Sequence, residues 1–266
     1  VSAARLGAQV ILVEEQGGFG GCATNGLVNV WHTLKDCVFE KEIIRGLTRE
    51  VIDRLDKRSA IKFLEKSMGA YAFLNTQELK IELDELVTEA KVKPYLHTLF
   101  SEPYWQDGKL TGIIVDGKSG RGIIRAKYFV DASGDGDLCY RMGVPTYSHK
   151  NIQPPTSCAN MENLDEDEMS ELVELIAAHH AEFNLPEGFI WDAPIAPTQA
   201  HMLAGTRIYG KSCCNMWDLT DAEIEGRRQI RAIMDINRKY GKTKLGLVGL
   251  ASYIGTRESR HFKSLH

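Results

Sequence analysis

The sequence lacks three features that would each point to a particular class of protein. None of its six cysteines forms a CxxC pair, which excludes the usual spacing of a zinc ribbon or a thioredoxin-like site. No apolar run approaches the ~20 residues that a membrane-spanning helix needs, so we expect no membrane partner. The formal net charge of −4 favours no polyanionic partner, so we expect no nucleic-acid binding.

What remains is the composition of an ordinary globular protein. Hydrophobic residues make up 43% of the chain and charged residues 26%, and there is no repeat or low-complexity tract. Scattered cysteines in a chain of 266 residues are most simply reduced thiols, which predicts a cytoplasmic protein without a metal site. The composition leaves a homo-oligomer open.

The chain begins with what reads as the second half of a dinucleotide-binding βαβ unit. Residues 2–8 are typical of the last turns of a helix, and residues 9–13 of a buried strand. An acid at such a strand end accepts hydrogen bonds from the ribose hydroxyls of an adenine dinucleotide, and Glu14 follows the strand directly. A solvated acid is the alternative interpretation of Glu14.

A glycine-rich segment follows the acid. Five glycines lie within the eleven residues 16–26, with small polar residues between them. Glycine lets the backbone approach a ligand closely, and successive N–H groups in such a loop can cradle an anion. A flexible linker is the alternative, but a linker would not carry Phe19 and Cys22 and then run into an apolar segment. The pattern therefore favours a loop that contacts a cofactor.

The spacing of apolar residues changes in the middle of the chain. Apolar spacing over residues 38–90 predicts a helical scaffold, with Asn75 as the N-cap of its last helix. Residues 92–130 then predict a small β-meander with hairpin turns at Asp-Gly pairs. His97 lies on one of these strands and is interpreted as structural.

A second glycine-rich turn closes this region. Residues 128–130 read as a buried strand that runs into D-A-S-G-D-G-D at residues 131–137. Because a carboxylate near a pyrophosphate is repulsive, we expect Asp131 and Asp135 to cap backbone N–H groups. A calcium-binding loop is the alternative, although the distal glutamate of an EF-hand is missing.

The first loop and this turn, taken together, resemble two elements of FAD-dependent oxidoreductases in the glutathione-reductase-like superfamily of two-domain flavoproteins. The resemblance implies FAD as the cofactor, with the strand-end glutamate on the adenosine ribose and the glycine loop along the flavin and its ribityl–pyrophosphate chain. Cys22 has no redox partner in this loop and is interpreted as a small packing residue. The implied cofactor contacts are Glu14, Gly20, Gly21, Cys22, Ala23, Thr24, Phe100, Gly134 and Asp135.

A third element lies near the end of the chain. The segment G-T-R-E-S-R-H at residues 255–261 resembles the G-x-R-E-[ST]-R-R element of the same family, with His261 where the second basic residue usually stands. A guanidinium binds oxyanions in bidentate fashion, so the two arginines suit a carboxylate substrate or the anionic charge of a reduced flavin. A structural Arg–Glu network is the alternative. Our candidate catalytic residues are His201, Arg207, Arg257 and Arg260.

Two amphipathic helices are expected in the C-terminal half. Acidic residues over 163–168 open one of them, as the helix dipole favours. Thr220 and Glu223 have the spacing of a capping box, which predicts that the other helix covers residues 222–239.

The resemblance implies an α/β fold: a Rossmann-like FAD-binding domain, made of a parallel sheet plus a β-meander, with an inserted α+β substrate domain. The expected boundaries are 1–145 for the FAD-binding domain, 146–254 for the substrate or cap domain, and 255–266 for the return toward the FAD-binding domain. The resemblance also implies that the chain is a fragment, which lacks the N-terminal GxGxxG unit and a C-terminal FAD-site segment.

The implied function is an enzyme that carries out flavin-mediated hydride transfer on a small organic substrate, with a carboxylate-bearing one suited to the arginines. The sequence does not specify the electron donor or acceptor. Two alternatives stay open: a truncated or degenerate paralogue acting as a non-catalytic binding module, and an oxidoreductase that binds only NAD(P). The glycine loop argues against the second, because a simple nicotinamide-binding fold does not need it.

Overall fold

The computed structural model of the protein describes residues 1–38, 40–64, 70–188 and 190–263 as a mixed α/β fold. The helices are α1 Ser2–Arg5, α2 Leu47–Lys57, α3 Thr76–Glu89, α4 Asp137–Arg141, α5 Glu166–His179 and α6 Met216–Tyr240. The strands are β1 Ile11–Val13, β2 Val30–His32, β3 Ile61–Phe63, β4 Ala70–Leu74, β5 Lys93–Tyr95, β6 Thr98–Gln106, β7 Lys109–Gly117, β8 Gly120–Arg125, β9 Thr146–Tyr147, β10 Ala159–Glu162, β11 Trp191–Pro194, β12 His201–Ala204, β13 Gly246–Leu250 and β14 His261–Phe262.

A short parallel sheet stands near the start of the chain, as the opening pattern predicts. β1 pairs with β5, so that Ile11 lies opposite Lys93. Parallel pairing needs a long crossover connection, and α2, β3, β4 and α3 supply it. The end of β1 also lies beside the start of β6, where the Thr98 N–H donates to the Glu14 carbonyl over 3.0 Å.

The helical scaffold expected over residues 38–90 is only partly present. α2 and α3 are there, but β3 and β4 lie between them and form an antiparallel sheet in the order β2-β4-β3. Short apolar runs fit a strand as well as a helix, and here cross-strand pairing decides. Residue 39 and residues 65–69 of this segment lie outside the described residues.

The predicted start of α3 is confirmed. The Asn75 side chain accepts hydrogen bonds from the backbone N–H groups of Gln77 and Glu78, as an N-cap does. The meander is confirmed too: β6, β7 and β8 form an antiparallel sheet in chain order, although Asp116 and Gly117, predicted to form its second turn, belong to β7 and the turn lies at residues 118–119. Its first turn holds Asp107 at φ 52° and Gly108 at φ 73°, the left-handed pair that a tight hairpin turn requires.

The second half of the chain packs a sheet against two helices. Its four antiparallel strands follow the order β11-β12-β10-β13, and α5 and α6 pack on one face. Met161 of β10, Leu172 of α5 and Ile233 of α6 are all buried in the cluster between them. In the part of the chain that the structure describes, no helix has the length and apolar character to cross a membrane.

The predicted start of α6 is wrong by six residues. The helix begins at Met216, because the side chain of Asn215 accepts from the Asp218 N–H and caps it there. Thr220 lies inside the first turns, and its hydroxyl donates back to the Met216 carbonyl. A threonine hydroxyl can serve either role, so the capping-box spacing alone did not locate the helix end.

The buried strand expected over residues 128–130 is also wrong. These residues form no strand in the structure, and Tyr128 and Val130 are 88% and 87% exposed. An apolar run becomes a buried strand only where neighbouring strands pair with it, and no described strand does so here.

Candidate functional site

The glycine loop after β1 has a buried base and an exposed tip. Thr24 and Asn25 are buried; the Thr24 hydroxyl donates to the Phe19 carbonyl over 2.5 Å, and Asn25 Nδ2 donates to the Gly18 carbonyl over 3.0 Å. Residues 20–22 above them are exposed. The polar side chains therefore fix the loop from below and leave its backbone open to a ligand.

Two glycines in this region have both a left-handed backbone and open space beside them. Gly21 has φ 48° and Gly134 has φ 84°, conformations that residues with a Cβ rarely adopt. A methyl group built on either would meet no atom within 4 Å. The two turns therefore present bare backbone to space that the described residues do not fill, which fits the close approach of a cofactor chain.

Glu14 lies at the carboxyl end of β1, where the sequence predicts a ribose-binding acid. Its Oε1 accepts from the Gln16 N–H over 2.8 Å, which fixes the carboxylate in place and leaves Oε2 without a described partner. Phe100 lies two residues beyond Thr98, whose N–H bonds the Glu14 carbonyl, so the strand assigned to the adenine starts beside this acid.

The two acids of the second turn, Asp131 and Asp135, interact with different groups. Asp131 caps the backbone as predicted, because its two oxygens accept from the N–H groups of Ser133 and Cys139. Burial alone would raise the pKa of Asp131, but these hydrogen bonds outweigh it and lower the pKa.

Among the described residues, no backbone N–H group donates to the Asp135 carboxylate, which corrects the second half of that expectation. Burial raises the pKa of its carboxyl group, and a hydrogen bond with the Ser259 side chain partly offsets the shift. The third sequence element thus reaches the second turn through a polar side-chain contact.

The third element also lies against the glycine loop. The Asn25 carbonyl accepts from the N–H groups of Ser252 and Tyr253 over 2.9 and 3.3 Å. Gly255 pairs with Thr156 through two backbone hydrogen bonds, and a methyl group on Gly255 would lie 3.9 Å from the sulfur of Cys22. Folding therefore brings together three elements that are more than 100 residues apart in sequence.

The two arginines of the third element have different surroundings. Arg257 is exposed, and within the described residues its guanidinium has no hydrogen-bond or ion-pair partner. Arg260 is 11% exposed and its guanidinium is engaged by Asp137 and by backbone carbonyls. Arg257 is thus the arginine of this pair that is available to a ligand.

The thiols near Arg257 are protonated at neutral pH. Partial desolvation raises the pKa of the Cys22 thiol, although the residue keeps exposed surface, and the positive charge of Arg257 offsets only part of that shift. Burial also raises the pKa of Cys158 to about 12. A protonated thiol is a poor nucleophile, which agrees with the interpretation of Cys22 as a packing residue.

The structure does not bring His201 and Arg207 to the glycine loop. Nδ1 of His201 hydrogen-bonds the Asp192 carboxylate, and its ring lies on the sheet face shared with Leu203, which packs against α6. Arg207 is tied to α6, because its N–H donates to Gln229 Oε1 over 2.7 Å. The loop packs instead on the opposite face, where Leu27 contacts Met202.

Several residues near these turns were not predicted from the sequence. The roles of Ser259 and Asn25 follow only from their interactions with Asp135 and Gly18 in the structure. Tyr253 is another: burial raises its phenol pKa, and the charges of Glu15 and Asp135 raise it further.

Solved structures of flavoproteins share this fold. They include a geranylgeranyl bacteriochlorophyll reductase-like protein from Thermoplasma acidophilum (TM-score 0.56, 15% identity, 95% of this chain and 61% of that one). p-Nitrophenol 4-monooxygenase from Pseudomonas putida has a TM-score of 0.55 at 12% identity, over 94% of this chain and 62% of that one. The myxobacterial chondrochloren halogenase, an FAD-dependent halogenase, has a TM-score of 0.53 at 14% identity, over 96% and 59%.

The chain spans about half to three-fifths of the length of such structures. No curated protein gives a significant sequence match. The model of the family described as FAD dependent oxidoreductase, however, matches residues 1–266. The chain therefore belongs to the FAD dependent oxidoreductase family.

Proposed function

We propose that this chain forms most of the cofactor and substrate sites of an enzyme that transfers a hydride between FAD and a small organic substrate carrying a carboxylate. Membership of an FAD-dependent family supports the cofactor. The observation that carries the substrate class is the exposed guanidinium of Arg257, which has no partner among the described residues and lies near Cys22 in the glycine loop.

The residues that would hold FAD follow from the geometry of the two turns. Glu14 Oε2 is available to ribose hydroxyls, and the open backbone at Gly21 and Gly134 suits the chain that links the ribose to the flavin. The Asp135 carboxyl, whose pKa is raised by burial, suits a hydroxyl more than a phosphate. We assign Gly20, Cys22, Ala23, Thr24 and Phe100 to the same site on the family pattern.

FAD, when bound, supplies the two-electron acceptor or donor for the hydride. Arg257 would orient the substrate by holding its carboxylate through two parallel N–H···O bonds. The two protonated thiols, Cys22 and Cys158, give the nearby wall a neutral lining. Hydrogen bonds from a guanidinium to a carboxylate are strong, so most of the binding selectivity would come from this one contact.

The domain division belongs to the same proposal. Residues 1–145 would form the FAD-binding domain and residues 146–254 the substrate domain, with 255–266 returning toward the first. The packing of Leu27 against Met202 and the bonds from Ser252 to Asn25 then lie at the junction of the two domains. Arg257 follows directly on that junction, where substrate and flavin would have to meet.

The test begins with the absorbance spectrum of the full-length protein, purified without added cofactor. Bands near ~450 and ~370 nm would identify an oxidised flavin. Anaerobic titration with small hydroxy, keto and unsaturated acids, and with their amides, then measures which class exchanges electrons with the flavin. We expect acids to react and amides to react poorly.

Arg257→Gln should raise the KM for the acid about 10- to 100-fold, because a charge-assisted hydrogen bond contributes about 1.5–3 kcal/mol. Arg231→Gln is the matched control, since Arg231 is an exposed arginine of α6 outside the site. Equal rates with acids and amides would overturn the substrate class. A protein that stays colourless after incubation with FAD would favour a non-catalytic binding module instead.

A further inference from the structure

Arg260 is the most heavily engaged side chain near the second turn. Its Nη1 donates to the Asp135 carbonyl over 3.0 Å and to Asp137 Oδ1 over 2.5 Å. Its Nη2 donates to the Cys214 carbonyl over 2.9 Å. The guanidinium also lies over the ring of Tyr140, 4.2 Å from the ring centre. A planar group with five donors can hold several acceptors at once, which a lysine cannot do.

The first two contacts act on the turn that approaches the cofactor. Asp135 lies between Gly134 at φ 84° and Gly136 at φ 67°, so the backbone on both sides of it is left-handed. Hydrogen bonds inside the turn join the Asp137 N–H to the Ser133 hydroxyl and the Tyr140 N–H to the Gly136 carbonyl, and the Asp135 carbonyl is left to accept from Arg260. The Arg260 guanidinium donates hydrogen bonds to the Asp135 carbonyl, which lies between the two glycines, and to Asp137, the first residue of α4.

The third contact reaches the other half of the molecule. Cys214 directly precedes Asn215, the residue whose side chain caps α6. α6 is the long helix whose buried face forms much of the second-half core. One guanidinium therefore joins the 134–137 turn to the residue that precedes the N-cap of this helix, about 75 residues away in the chain.

Neighbours of Arg260 reinforce the same contact. The Ser259 side chain lowers the pKa of the Asp135 carboxyl against the larger effect of burial. The ring of Phe262 packs so close to Gly136 that a methyl group there would lie 2.4 Å from it. The segment from 259 to 262 thus covers the turn on one side, and the Arg260 fork is its charged centre.

We propose that Arg260 is a positioning residue: it holds the 134–137 turn in the conformation that binds FAD and couples the order of that turn to the start of α6. This role differs from a substrate contact, because both terminal nitrogens of the Arg260 guanidinium already donate to acceptors of the chain. It rests on the FAD cofactor of the family and not on the anion-binding role proposed for Arg257.

The experiment compares the full-length protein with its Arg260→Gln, Arg260→Lys and Arg231→Gln variants. The dissociation constant for FAD, amide hydrogen exchange of the apo protein, and the visible circular dichroism of bound flavin are measured for each. We expect Arg260→Gln to raise the FAD dissociation constant at least ten-fold and to speed exchange in both 131–142 and 212–218. Arg260→Lys should recover part of the affinity, because lysine keeps the charge but loses the fork.

An Arg260→Gln variant with an FAD dissociation constant within two-fold of wild type and unchanged exchange would overturn the proposal. Faster exchange in 131–142 alone would overturn the coupling to α6. Should Arg260→Gln fail to fold, Asp137→Asn removes the charged partner of the same contact, and unchanged FAD affinity there would overturn the positioning role. Loss of FAD binding in an enzyme that rejects every carboxylate would refute the proposed function and leave this inference standing.

Discussion

The core of the second half and the two glycine-rich turns are stabilised by different forces. In the second half, a sheet and two helices bury a continuous apolar cluster, and Ile233 and Ile236 of α6 are 1% and 0% exposed. At the glycine loop and the 131–137 turn, single hydrogen bonds from Thr24, Asn25 and Arg260 fix the backbone. Apolar burial gives a scaffold that stands on many contacts, whereas each polar contact of the loops can be lost singly. Mutations should therefore separate stability from cofactor binding.

The largest expected effect lies in the scaffold. Ile236→Ala should lower the free energy of unfolding by about 2–5 kcal/mol, because it leaves a cavity beneath α6. Ile224→Ala is the matched control on the same helix, since Ile224 is 59% exposed and its replacement should change stability by about 0.5 kcal/mol or less. Urea denaturation measures both. Equal losses would contradict the assignment of the buried face.

A smaller effect, on binding, is expected at the second turn. Gly134→Val forces a branched residue to φ 84° and should weaken FAD binding about ten-fold or more, since left-handed backbone costs about 1–2 kcal/mol for residues other than glycine. Gly122→Val in β8 is the control, because its added side chain also meets open space but its backbone is that of a strand. Fluorescence titration with FAD compares the two variants. Matching affinities would remove Gly134 from the cofactor site.

The smallest effect concerns an exposed ion pair between the first helices. Hydrogen bonds from Arg5, and then from Arg54, lower the pKa of Glu50 to about 2, although desolvation opposes them. A depressed pKa stabilises the fold above the ordinary value of 4.5, and that contribution disappears as the pH falls toward 2. Wild type should therefore lose more stability than Glu50→Gln between pH 5 and 3, by about 1 kcal/mol at most. If wild type and Glu50→Gln lost stability equally as the pH fell, the Glu50 ion pair would make no contribution to the free energy of unfolding.

The sequence predicted local caps better than it predicted the strands. The backbone caps formed by Asp131 and Asn75 are confirmed, because each depends on local backbone geometry that a few residues encode. The assignment of Glu14 and the glycine loop to a cofactor stays a prediction. The apolar run at 128–130 was misread, because burial is decided by the strands that pair with it and not by its own residues.

The roles of the candidate arginines and of His201 needed the tertiary structure. Sequence motifs placed Arg257 and Arg260 together, but the partners of Arg260 come from residues 135–137 and 214, far away in the chain, whereas Arg257 has none among the described residues. His201 has a residue type suited to catalysis, and only the strand pairing of β12 turns it toward α6 and Asp192. No spacing rule in the sequence distinguishes a side chain that is hydrogen-bonded within the protein from one that is available to a ligand.

The sequence alone determined the local features of this protein: where glycine frees the backbone, which side chain caps α3, and a resemblance to FAD-dependent oxidoreductases, the family whose model matches residues 1–266. Those features depend on neighbours within a few residues. Only the tertiary structure decided that the three elements meet and that Arg257 stays exposed beside the glycine loop. It also decided that the Arg260 guanidinium donates its hydrogen bonds to the second turn. Long-range contacts are settled by packing and by competition among hydrogen-bond partners, which depend on the whole chain at once.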